Sequence, residues 1–166
     1  MTRLALGMTP RDTRGTTKIE GDRATFDVAY QMACFRSMWG QEPFLSAWEC
    51  RQRWQMDAHA LRGRLEVVSL KDQDAPSPLV RIRWGRHLRL YELPAGGYAY
   101  GPFRLRILHS DFPTRLIQPA AACIYETVQD ATQLILRLHP ATHYVQGQTF
   151  TLQLEISFTP TPAGAA

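Results

Sequence analysis

Residues 43–61 read PFLSAWECRQRWQMDAHAL, and the secondary structure given to this stretch decides the fold class. Helical spacing puts Ala47, Cys50, Trp54, Ala58 and Leu61 on one apolar stripe, broadened near its start by Phe44, Leu45 and Trp48. Pro43 suits the first helical position, where its missing N–H costs nothing. Gly63 stands where a helix cap is expected, with Arg62 favourable at the negative helix end. The stretch therefore predicts one strong amphipathic helix.

Working outward, the neighbours read as strands. Residues 25–35 alternate, with Phe26, Val28, Tyr30, Met32 and Cys34 on one face and Asp27 and Gln31 on the other. After the helix come a short strand at 64–70 and a polar loop at 71–78. Strands at 79–84 and 87–93 follow, joined by Gly85-Arg86 as a type II′ hairpin. Residues 94–97 (PAGG) make a turn, and a strand at 98–109 is broken near Gly101-Pro102. Residues 119–131 read as a second helix opened by Pro119, with a strand hairpin as the alternative. A strand at 132–139 precedes the clearest strand of the chain, 148–158. There Phe150, Leu152, Leu154, Ile156 and Phe158 alternate with Thr151, Gln153, Glu155 and Ser157.

This order predicts an α+β fold, a mostly antiparallel β-sheet with one or two helices packed on one face. If 119–131 is strand, the alternative is an all-β jelly-roll-like sandwich with one helix. Residues 1–24 read as a flexible basic arm, 25–158 as a single globular domain and 159–166 as a flexible tail.

The net charge of +4 is almost wholly arginine's work, since only Lys18 and Lys71 among the 19 basic residues are lysine. The strongest functional signal lies in 79–109. Arg81 and Arg83 alternate with Val80, Ile82 and Trp84. Arg89 opposes Leu88 and Leu90, Arg104 and Arg106 oppose Phe103, Leu105 and Ile107, and Arg86 sits in the turn. These six arginines face one acid, Glu92, across the whole segment. Period-two alternation predicts that they share the non-core face, where like charges across strands repel. An anionic partner would relieve that repulsion: nucleic acid or ribonucleoprotein, or an anionic membrane surface. The other reading is a solvated face whose arginine stems cover apolar surface.

No constellation for chemistry is legible, and the expectation is a non-enzymatic protein with no cofactor and no metal. Phosphate-loop, dinucleotide and nucleophile-elbow motifs are missing. His109-Ser110-Asp111 has the residue types of a triad but reads as a loop following a strand. His139 and His143 are separated by Pro140, against a shared helical face. Cys34, Cys50 and Cys123 fit small apolar packers in a reducing compartment, cytoplasm or nucleus, or a virion. No run of 18 apolar residues predicts a transmembrane segment.

The basic N-terminus, the strand TFDVAYQMACF (25–35), the helix at 43–61 and the β-rich body that follows resemble, in element order over residues 1–70, rhabdovirus matrix proteins. The resemblance implies a structural protein that self-associates, binds anionic membrane and condenses ribonucleoprotein. The Pro-Pro-x-Tyr motif frequent in that family is absent, and Pro160-Thr161-Pro162-Ala163 is not its Pro-Thr-Ala-Pro counterpart. A capsid-type subunit and a small nucleic-acid-binding module are the alternative expectations.

Overall fold

The computed structural model describes residues 8–34, 44–74, 79–83, 90–117, 133–137 and 143–158. Its strands are β1 (Met8–Glu20), β2 (Arg23–Cys34), β3 (Phe44–Met56), β4 (Ala60–Ser69), β5 (Leu79–Arg83), β6 (Tyr91–Glu92), β7 (Tyr98–Tyr100), β8 (Phe103–Ser110), β9 (Thr114–Ile117), β10 (Gln133–Arg137) and β11 (Thr149–Phe158). They form an open eight-stranded antiparallel sheet, ordered β1-β2-β3-β4-β11-β8-β7-β6, and a three-stranded sheet, β5-β10-β9.

The α+β expectation is overturned: among the described residues there is no helix. The stretch read as a helix is the β3–β4 hairpin. Trp48, Cys50, Gln52, Trp54 and Met56 share one face of β3, and Glu49, Arg51, Arg53 and Gln55 share the other, as its register with β4 requires. A polar residue, Gln52, in the apolar row hides this alternation and leaves the i, i+4 spacing as the louder pattern. The β3 backbone is paired on both sides, to β2 and to β4. Those two ladders outweigh the favourable helix propensity of Glu, Arg, Gln and Met. Gly63 is no helix cap but a mid-strand residue directly opposite Trp54. An added Cβ there would lie 2.3 Å from the indole Cζ3, so the ring is laid across the glycine. The hairpin turns on Asp57, whose Oδ1 accepts from the N–H groups of His59 (2.8 Å) and Ala60 (2.9 Å).

Two further expectations are corrected. Residues 8–20, read as part of a flexible arm, form β1, the edge strand of the large sheet. It pairs with β2 through a tight turn at Gly21-Asp22, where Gly21 has φ of 60°. Among the described residues the expected pairing of 79–84 with 87–93 does not occur: β5 pairs with β10 in the small sheet, and β6 pairs with β7 in the large one. The turn at 94–97 is present, with Gly96 and Gly97 at positive φ, and so is the break at Gly101-Pro102 between β7 and β8. The second helix at 119–131, the hairpin at Gly85-Arg86 and the tail at 159–166 lie outside the described residues.

The core forms where the small sheet lies on the large one. Leu136 of β10 is fully buried against Leu152 and Leu154 of β11, Val67 of β4, Leu105 of β8, Trp48, Phe112 and Tyr144. Val80 and Ile82 of β5 and Leu116 of β9 pack onto the same cluster. Trp48 meets Tyr144 edge-on at 4.8 Å between centroids, in the geometry that ring quadrupoles favour. The chain leaves the large sheet after β8 by a loop that is tied both to itself and to β11. Ser110 Oγ donates to Phe112 O (2.8 Å), and Thr151 N donates to the Asp111 carboxylate (2.7 Å).

Candidate functional site

The large sheet presents two surfaces, and period-two alternation assigns the side chains to them. Its outer face, opposite the small sheet, is charged. Glu49 on β3 stands between Arg14 on β1, at 3.4 Å, and Arg51 on its own strand. Arg53 donates twice to Asp27 on β2, at 2.6 and 3.2 Å. Arg64 and Glu66 pair along β4 at 2.7 Å. Arg62 bridges Asp57 (2.8 Å) and Glu155 on β11 (2.9 Å), and Glu155 also meets Arg106 on β8 at 3.7 Å. The result is a ladder of exposed ion pairs across six strands.

A concavity of about 690 Å³ opens in this face. Arg14, Arg51, Arg53 and Arg64 line it with Asp27 and Glu66, over a floor that includes Gly15 and Ala29. The small floor residues leave the guanidinium groups as rims. Asp27 raises the proton affinity of Arg53 above its already high ordinary value, chiefly through their hydrogen bonds. Asp57, accepting from His59, Arg62 and Ala60, falls to about 2.

The arginines expected to share one surface are divided by the topology. Arg104 and Arg106 lie on the outer face of the large sheet, where Arg104 donates to the Gly101 and Phe103 carbonyls. Arg81 and Arg83 occupy β5 of the small sheet, opposite Ile135 and Gln133 of β10. Arg86 and Arg89 lie outside the described residues. Of the predicted set, Arg106 is answered within the chain, by Glu155 of β11; Glu49, Asp27 and Glu66 instead pair with Arg14, Arg51, Arg53 and Arg64. Arg14, Arg51, Arg53, Arg62 and Arg64 were missed as one surface because the sequence places Arg14 in an arm, Arg51, Arg53 and Arg62 along or at the end of a helix, and Arg64 in a separate short strand. The signal that finds them is the alternation Glu49, Arg51, Arg53 against Trp48, Cys50, Trp54.

The second surface is the inner face beyond the small sheet. At the β1–β3 end it carries Ala24, Phe26, Val28, Tyr30 and Trp54, all half-buried, and Ile19 and Met56, which are 73% and 48% exposed. Phe103 and Phe158, in edge contact at 5.6 Å, remain 40% and 48% exposed on the same face. Its polar atoms are satisfied locally. Trp54 Nε1 donates to Gln52 Oε1 (3.0 Å), and Gln52 Nε2 donates to Tyr30 Oη (3.0 Å) and to Cys50 Sγ (3.7 Å). Burial is the main cause that pushes Tyr30 up to about 12 and raises Cys50, so both stay neutral. A neutral, internally bonded apolar face is ready to be covered, since it brings few unpaired polar groups into a contact.

The residue types of a triad at 109–111 do not converge. His109 Nε2 lies 3.3 Å from Asp111, while the Ser110 hydroxyl is turned into its own loop. His143 pairs with Asp74 at 3.0 Å on the surface. Among the described residues no group of three or more His, Cys, Asp or Glu side chains is placed to hold a metal ion, and no helix is long and apolar enough to cross a membrane. No protein-family model, no curated protein and no solved structure matches this chain.

Proposed function

We propose that this chain is a non-enzymatic assembly protein that associates through the apolar inner face at the β1–β3 end of its large sheet. One observation carries the reading: Ile19 and Met56 stay exposed at that end, on the face that a few strands away forms the core, and Phe103 and Phe158 add exposed apolar surface at the ends of β8 and β11. Exposed apolar surface that continues a core face marks a protein contact far more often than scattered hydrophobic residues do. The ion-paired outer face keeps the opposite side soluble. The resemblance to matrix proteins counted a helix at 43–61 among its shared elements, and that element is the β3–β4 hairpin. The proposal is therefore an assembly subunit in general, and it does not name the family.

Molar mass by light scattering, over a rising protein concentration at low and high salt, tests it. Association that grows with concentration and persists in high salt is expected, because apolar burial is not screened. A single-chain mass under every condition would sink the proposal.

The concavity favours a second reading, in which the outer face binds a polyanion. Four guanidinium groups on its rim point to phosphate recognition. Asp27, Glu66 and Glu49 nearly neutralise them, which points to modest affinity. Replacing Arg51 and Arg53 with Gln should then weaken polyanion retention more than replacing Arg104 and Arg106. Equal retention by both variants would remove the concavity from the account.

A further inference from the structure

The outer edge of β1 carries a self-complementary pattern. Among the described residues no strand pairs with that edge, and residues 12–20 are exposed throughout. The two-residue turn at Gly21-Asp22 closes on the pair Glu20 and Arg23. In such a hairpin the closing pair exchanges both backbone hydrogen bonds, and the pattern alternates from there. Glu20, Lys18, Thr16 and Arg14 therefore direct their N–H and C=O groups to β2. Ile19, Thr17 and Gly15 direct theirs to the free edge.

Upstream, the edge is blunted. The register shifts between Arg11 and Arg14, Asp12 sits at φ of 50°, and Pro10 has no donor. The straight, open part is thus 14–20. Two copies pairing antiparallel along all of it must place Thr17 on Thr17 across a two-fold axis. That register sets Ile19 opposite Gly15 on the apolar face, where the missing side chain leaves room. It sets Arg14 opposite Glu20 and Thr16 opposite Lys18 on the charged face. Sliding one pair one way puts Arg14 against Lys18. Sliding one pair the other way puts Lys18 on Lys18. Like charges directly opposite are destabilising in a ladder.

We propose that a second copy of this chain pairs with β1, Thr17 on Thr17, joining two eight-stranded sheets into one. The pairing satisfies the open N–H and C=O groups of Gly15, Thr17 and Ile19, and it brings the two apolar inner faces side by side. The inference rests on the assembly reading and adds the edge by which assembly begins.

Thr17→Pro tests it. Thr17 N–H faces outward, so proline removes no bond within the chain and is tolerated at such an edge position. The melting temperature should stay close to the wild-type value, while the dimer dissociation constant rises at least about tenfold with both central donors gone. Thr17→Cys should give a disulfide-linked dimer on mild oxidation, because Cα atoms of a hydrogen-bonded pair lie about 5.5 Å apart. Thr16→Cys and the wild-type chain should not. Association that is unchanged by Thr17→Pro, with no Thr17→Cys cross-link, overturns the edge pairing and leaves the assembly reading standing. A wild-type chain that never associates overturns both.

Discussion

Replacing Gly63 with alanine places one methyl group where the Trp54 indole now lies. The new Cβ would sit 2.3 Å from Cζ3, 2.6 Å from Cε3 and 2.8 Å from Cη2. All three are far inside ordinary van der Waals contact, so the ring must lift by more than an ångström. Lifting it strains or breaks the Trp54 Nε1 bond to Gln52 and uncovers part of Leu65 and Leu154 beside it. Overpacking of this kind costs about 1–3 kcal/mol, and the disturbed hydrogen bond adds about 1 kcal/mol. A loss of roughly 2–4 kcal/mol is expected, measured by urea denaturation followed by tryptophan fluorescence. In a Trp54→Leu background the same replacement should cost less than about 0.5 kcal/mol, because alanine suits a strand better than glycine when nothing lies over it. If Gly63→Ala costs the same in both backgrounds, the ring does not lie on the glycine, and the β3–β4 register is wrong.

Leu136→Ala should destabilise by about 2–5 kcal/mol, since this fully buried residue joins the small sheet to the large one; a loss below 1 kcal/mol in the same urea assay would mean that the two sheets do not share a core. Tyr144→Phe should be neutral or stabilising by about 1 kcal/mol, because the buried hydroxyl finds no partner among the described residues; a clear loss would reveal one. Asp57 is held at about 2 in the folded chain against an ordinary 3.8, so its contribution is complete above about pH 4 and disappears as pH falls through about 2. Asp57→Asn should therefore flatten the acid side of the stability profile while leaving the neutral-to-basic side parallel to wild type. An unchanged acid limb would show that the turn does not hold this carboxylate.

Strands whose apolar row is unbroken were legible in the sequence. Residues 148–158 and 25–35 alternate without a polar intruder, and the strands β11 (Thr149–Phe158) and β2 (Arg23–Cys34) lie there. Phe103, Leu105 and Ile107 opposed Arg104 and Arg106 as the alternation of β8 requires. The turn at 94–97 announced itself through two glycines, both at positive φ. The β3 strand was illegible because Gln52 occupies an apolar-face position, and only its bonds to Tyr30 and Trp54 explain why it is tolerated there. The edge strand β1 has no apolar row to read. Its threonines favour extended backbone, but it is held by the ladder to β2 and not by burial. The arginine surface was half legible. Alternation tells which residues share a face within a strand. It does not tell which strands share a sheet, so Arg81 and Arg104 could not be separated, and Glu155 could not be matched to Arg62 and Arg106.

If copies of this chain meet through the apolar inner face at the β1–β3 end, charge placed on that face should separate them. The most direct measurement is the molar mass of an Ile19→Glu, Met56→Glu variant beside the wild type, at one concentration where the wild type associates. Both positions are exposed in the single chain, so the fold should tolerate the change while charge is forced into the contact. The variant should fall to the mass of one chain with its melting temperature nearly unchanged. A variant that keeps the wild-type mass would place the contact elsewhere on the chain.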